Sequence, residues 1–123
     1  MNQMGLFIGT LMQSRTQAHI YHLQTVGPGS LAAHLALQAY YEGVVPLIDG
    51  LVESYQGKYG ILYGYQMGAV LREDTNYVKY FEALCTFIER MRNNIPQDSY
   101  IANQVDTIVE LINSTKNKLK HLQ

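Results

Sequence analysis

Residues 19–57 read HIYHLQTVGPGSLAAHLALQAYYEGVVPLIDGLVESYQG, and the spacings inside this stretch decide the fold. A Gly27-Pro28-Gly29 break divides it. Before the break His22 closes a helical pattern; after it one long helix carries His34, Gln38, Glu42, Asp49 and Glu53. An α-helix turns about 100° per residue, so with His34 at zero Gln38 lies at about 40°, Asp49 at about 60°, Glu42 at about 80° and Glu53 at about 100°. The five share one stripe, with Leu31, Leu35, Val45 and Val52 on nearby positions. Imidazoles and carboxylates are the side chains that bind iron or zinc. His34 and Glu53 are 19 residues apart, roughly 28 Å along a helix axis, so they cannot reach one ion within one chain. A shared ion requires a second copy of the helix, antiparallel across a two-fold axis. A long amphipathic helix with polar residues along its rim produces the same stripe, and spacing alone does not separate the two readings.

From His22 to Glu53 the chain resembles the Dps family, the mini-ferritins. That family has a His at the end of its first helix and a Gly five residues on. A second His follows twelve after the first, then a carboxylate four later, and an Asp and a Glu fifteen and nineteen beyond the second His. The matching positions here are His22, Gly27, His34, Gln38, Asp49 and Glu53; all six agree in spacing and five in residue type. His19 and Pro28 are also similar to some members. The resemblance implies an all-α, ferritin-like four-helix bundle with a long second helix and a Tyr/Gly-rich crossover connection. It further implies a homo-oligomer, at least a two-fold dimer. Iron, as Fe(II), would be bound and oxidised between subunits, with His22 and His34 from one chain and Asp49 and Glu53 from its mate. The departures are Gln38 in place of a carboxylate, Leu23 in place of a Trp, and Ser30 where an aromatic is common. A neutral amide does not offset a cation's charge, so Glu42, one turn beyond Gln38, is a substitute candidate, and His19 a further one.

At 123 residues the chain is expected to form a single domain over 1–123, with a modest core. A net charge of −1 gives no global attraction to DNA or anionic lipid. The lone cysteine, Cys85, excludes an internal disulfide and is compatible with a reducing compartment. No run approaches the roughly 18 apolar residues of a membrane span, and the N-terminus lacks the pattern of a signal peptide, so a cytoplasmic protein is expected.

Helical periodicity places a first helix over 2–25, with Met4, Ile8, Leu11, Arg15, Ala18 and His22 on one stripe. Gly27 suits a left-handed helix end, and Ser30 suits the cap of a second helix over 30–56 that stops at Gly57. Pro46 inside it removes a donor and predicts a bend or gentle curvature. Residues 57–73 hold glycines at 57, 60, 64 and 68 interleaved with Tyr59, Tyr63 and Tyr65. They read as a covered connection, or as a contact surface for a protein partner through those tyrosines. Dps proteins carry a short helix in the equivalent place; over Ile61–Leu71 the glycines weigh against one. A third helix begins near Asp74 or Thr75 and ends before Pro96, with Cys85 on its apolar face as a buried, inert thiol. Asp98 or Ser99 caps a fourth helix, along which Ile101, Val105, Ile108, Ile112, Leu119 and Leu122 recur. Its last turns carry Lys116, Lys118, Lys120 and His121, cations that complement the helix dipole; DNA binding is not expected from so few.

An intrachain di-iron centre needs Glu-x-x-His pairs, and no Glu here has a His three residues on. There is no Cys pair for a zinc ribbon and no Gly-x-Ser-x-Gly elbow. Two functions remain. One is ferroxidase-type oxidation of Fe(II) at an intersubunit site. The other keeps the fold without the chemistry, as a structural or partner-binding protein. The chain also resembles short ferritin-like proteins encoded by bacteriophages, which would make a virion-associated location the alternative to the cytoplasm.

Overall fold

A computed structural model describes residues 3–122. Helix α1 spans Gln3–Gln24, α2 Leu31–Tyr59, α3 Tyr77–Met91 and α4 Ser99–His121, with a 3-10 turn at Arg92–Asn94. No strand occurs among the described residues. The four helices expected from periodicity all form, and the differences lie at their ends. α2 continues through Gly57 and through Pro46, and stops at Gly60, where φ is +93°. Ser30 precedes α2 but does not cap it; its hydroxyl donates backward to the Gly27 carbonyl at 2.6 Å. Asp98 precedes α4 without capping it, because its carboxylate accepts from Lys58, from the Tyr59 hydroxyl at 2.5 Å and from the Tyr100 hydroxyl at 3.2 Å. α3 starts at Tyr77 rather than Asp74 or Thr75, since Asp74 instead accepts the Asn76 N–H at 2.9 Å and the Tyr21 hydroxyl at 3.3 Å.

Contacts along the chain set the helix directions. Gly27 (φ +96°) and Gly29 (φ +79°) adopt conformations that side chains with a Cβ resist, and they reverse the chain between α1 and α2. Residues 60–76 form no helix. Instead they climb along the whole of α1: Gly64 lies against Gly5, Gln66 against Gly9, Gly68 against Thr10, Ala69 against Gln13, Arg72 against Gln17 and Asp74 against Tyr21. This segment therefore runs parallel to α1 and crosses the length of the bundle. α3 starts at the same end as α2 and runs the same way. α4 returns antiparallel to α3, with Lys120 near Glu82 (3.7 Å) at one end and Arg92 bonded to Asp106 (2.7 Å) at the other. α1 packs on α2 and α3, and α4 packs on the same two, so α1 faces α4 across one diagonal and α2 faces α3 across the other.

The crossover explains an oddity of α1. A surface helix usually buries one stripe. α1 buries Phe7, Ile8, Leu11 and Ala18 towards the core, and also Gly5, Gly9, Gln13, Gln17 and Tyr21. The second set lies beneath the crossover. A Cβ on Gly5 would sit 2.2 Å from the Gly64 oxygen, and one on Gly9 2.0 Å from the Gln66 oxygen, so the backbone approach requires glycine at both. Further along, amides replace glycines: the Gln17 side chain donates to Arg72 O at 3.0 Å and accepts from Arg72 N at 2.6 Å.

Inside the bundle Tyr40 is fully buried, edge-on to Phe81 with centroids 4.9 Å apart. Its hydroxyl lies 2.7 Å from Ser14 Oγ, whose own proton goes to Leu11 O at 2.6 Å, so Tyr40 is the donor of the pair. Two apolar expectations are corrected. Leu122 is exposed, because α4 ends at His121. Cys85 is only partly buried, with its sulfur 4.0 Å from Asn113 Oδ1 on α4.

Candidate metal centre

The turn through Gly27 and Gly29 brings the last turn of α1 beside the first turns of α2, and with them His22 and His34. Their rings stack with centroids 3.6 Å apart at 26°. His22 Nδ1 lies 2.8 Å from the His34 carbonyl, and His34 Nδ1 lies 3.1 Å from the His22 carbonyl. A carbonyl oxygen only accepts, so each Nδ1 carries the hydrogen. In the neutral rings each Nε2 then keeps its lone pair. Histidine ligands usually have this arrangement, in which one ring nitrogen donates to a carbonyl and the other is left for the metal. His22 is 8% exposed and His34 is half-buried, so the pair sits at the surface end of a packed seam.

Tyr41 and Arg15 complete this corner; Tyr41 was missed in the sequence, and Arg15 was read only as a member of the α1 stripe. Tyr41 stacks on His19 at 4.3 Å and meets His22 edge-on at 5.4 Å, while the Arg15 guanidinium carbon lies 5.7 Å from the Tyr41 centroid. The signal was present: Arg15 is seven residues before His22 and Tyr41 seven after His34, which is two helical turns on the same face. His19 is therefore committed to a ring stack beside the pair, its centroid 6.2 Å from that of His22.

The carboxylates lie elsewhere. Asp49 and Glu53 are exposed further along α2. Asp49 borders a shallow pocket with Met12, Arg15, Val45 and Ile48. Gln38 and Glu42 bond each other, Gln38 Nε2 donating to Glu42 Oε1 at 2.8 Å. Among the described residues no three His, Cys, Asp or Glu side chains gather closely enough to hold a metal. One chain thus presents two paired imidazoles, with two exposed carboxylates displaced along the same helix. Around these groups the face of α1 and α2 is unusually apolar for a surface, with Met12, Leu23, Leu31, Leu35 and Val45 all exposed.

Of the connection tyrosines, Tyr63 and Tyr65 are exposed, and Tyr59 is held by Asp98. No helix among the described residues is long and apolar enough to cross a membrane. The profile of a family of unknown function, DUF5856, matches residues 22–119, most of the chain, and the chain belongs to that family. No curated protein and no solved structure matches it.

Proposed function

We propose that this member of DUF5856 is a Dps-like, ferritin-like protein that binds Fe(II) between two copies and oxidises it. His22 and His34 of one copy would supply imidazole nitrogen, and Asp49 and Glu53 of the other would supply carboxylate oxygen. The observation that carries the reading is the reciprocal pair of Nδ1–H to carbonyl hydrogen bonds between the two histidines, which leaves the lone pair of each Nε2 for a metal. The connection that crosses the bundle lengthwise, with α2 and α3 running parallel, supports the ferritin-like assignment. The apolar α1/α2 face supports a second copy as its cover. An antiparallel mate would carry its Asp49 and Glu53 end towards the histidine end, as the helix spacing requires. Iron is the substrate here. Each Fe(II) gives one electron to dioxygen or hydrogen peroxide from solution, and the carboxylates offset the charge gained by the ion.

One observation favours a second reading. Gln38 stands where a carboxylate is wanted, and its amide engages Glu42, the nearest replacement. A chain with that pairing could retain the fold as a structural or partner-binding protein, with the histidine pair as a seam between helices.

The test is Fe(II) oxidation by metal-free protein with oxygen and then peroxide, beside His34→Ala. Oxidation well above buffer that the variant loses supports the intersubunit site. Oxidation unchanged in the variant refutes the ligand assignment, and a wild-type rate equal to buffer selects the second reading.

A further inference from the structure

The outer side of α2 carries a packing seam that its own chain leaves open. Leu35, Gln38, Glu42, Val45, Asp49 and Val52 recur at alternating steps of three and four residues, the repeat by which one helix lies along another. Leu35 is 54% and Val45 40% exposed, and Leu31, one step before the seam, is 68% exposed. The charges beside the seam are sorted by position. His19, His22 and His34 stand at the end near the Gly27–Gly29 turn, with no acid among them. Glu42, Asp49 and Glu53 are exposed from the middle of α2 towards its other end, with no cation among them. Lys58, the next cation along α2, is held by Asp98. Arg15 stands level with the middle of the seam; it borders a pocket with Asp49 but its guanidinium lies over the Tyr41 ring. None of Arg15, Glu42, Asp49 and Glu53 enters an ion pair among the described residues.

We infer that this seam pairs antiparallel with the same seam of a second copy, and that Arg15 of each copy binds Glu42 of the other beside the two-fold axis. The steps of three and four read the same in both directions. Full overlap therefore sets Leu35 opposite Val52, Gln38 opposite Asp49 and Glu42 opposite Val45 of the second copy. Glu42 then arrives beside Val45, where Arg15 lies in the pocket. Gln38 already donates to one oxygen of Glu42 and leaves the other for the guanidinium. The charge pattern selects this direction: antiparallel pairing meets each acidic end with a histidine end, whereas parallel pairing would set three carboxylates against three. The face also has the extent. From Leu31 to Glu53 it is roughly 33 Å long and, with the exposed stripe of α1, about 20 Å wide. That is on the order of 650 Å², near the roughly 800 Å² per partner of a specific interface. The inference deepens the proposed function by naming what joins the copies; it rests on that reading's second copy and not on iron.

The test uses the full chain in excess chelator, with mass read by light scattering at high micromolar concentration and helix content by circular dichroism. A dimeric wild type, a halved mass in Arg15→Glu and in Glu42→Arg, and a restored dimer in the double variant support the pairing. A monomeric wild type overturns it and leaves the face to a different protein. Single variants that stay dimeric overturn it, and so does a folded double variant that stays monomeric. The register has its own test, which does not depend on the charge variants folding. Leu35→Cys/Val52→Cys is oxidised in a Cys85→Ser background; the two positions are about 25 Å apart along α2, so their thiols bond only between copies. A covalent dimer from the double-cysteine chain and from neither single one supports the register. No cross-link, or one from Leu35→Cys alone, overturns it. A chain that passes these tests yet oxidises no iron loses the metal reading and keeps the dimer.

Discussion

Gln17 and Arg72 are joined by a two-way amide bond. The Gln17 side chain gives a proton to the Arg72 carbonyl and takes one from the Arg72 N–H, although 55 residues separate them. Gln17 is almost fully buried. Removing its amide leaves two backbone groups under α1 with poorer partners. Gln17→Ala is expected to lower stability by about 2–3 kcal/mol, given roughly 1 kcal/mol per buried hydrogen bond plus the desolvation left uncompensated. Urea denaturation checks this, and a midpoint within error of wild type would contradict the clamp.

Two glycine substitutions should act in opposite directions. Gly9→Ala places a Cβ 2.0 Å from the Gln66 carbonyl oxygen, a backbone atom that has no rotamer escape. It is expected to displace the crossover, to cost about 3 kcal/mol or more as overpacking does, and to open residues 60–76 to limited proteolysis. Gly57→Ala meets nothing within 4 Å and lies inside α2. It should stabilise by about 0.5–1 kcal/mol through helix propensity. Thermal melts of the two variants together separate the contact from a general effect of alanine.

Asp98 ties the end of α2 to the start of α4. Hydrogen bonds from Lys58 and then Tyr59 pull its carboxyl down from 3.8 to about 2. A depressed folded value means stability that is present above the unfolded value and lost as the pH falls towards the folded one. The acid limb of stability should therefore steepen between pH about 4 and about 2. Asp98→Asn should be less stable than wild type at neutral pH and lose part of that limb. Lys58 is shifted upward, first through its bond to Asp98, so its contribution holds through neutral pH and fades only in strong base. Unfolding midpoints measured across the acid range test the assignment; parallel profiles for wild type and Asp98→Asn would reject it.

Removal of either imidazole should disable the proposed metal site. His22→Ala and His34→Ala are each expected to weaken Zn(II) or Fe(II) binding at least tenfold, since even the loss of a supporting group around a ligand has that effect. His34→Ala should also destabilise the apoprotein modestly, because His34 Nδ1 bonds the His22 carbonyl. Isothermal titration with Zn(II) reads the first effect and denaturation the second. A His34→Ala protein that binds metal as wild type does, yet melts earlier, would make the pair purely structural.

The four helices were legible because Ile101, Val105, Ile108 and Ile112 repeat at helical spacing, as do Phe81, Leu84 and Ile88, and all of these are buried. The stacking of His22 on His34 was not legible from the residues: only the resemblance put the two histidines together, and the contact depends on how the glycine turn folds. The failure of Ser30 and Asp98 to cap their helices was not legible either, because a short polar side chain before a helix is also free to bond elsewhere, and both do. Least legible was the outer stripe of α1. Gly5, Gly9, Gln13 and Gln17 look like a solvated face, and the segment that covers them has no helical period. Only the tertiary arrangement shows why small and amide side chains are needed there.

The crossover also orders events in time. Its bonds to α1 join residues 53 to 61 positions apart, from Tyr21 with Asp74 to Gly5 with Gln66. Closing such long loops is entropically costly, so contacts of this kind slow folding. On a ribosome α1 and α2 emerge first and can zip together through the Gly27–Gly29 turn. The outer side of α1 stays wet until synthesis has passed residue 75. The amide clamps on Ala69 and Arg72 then close late, and a chain stalled before that point exposes the same buried glutamines that its finished form conceals.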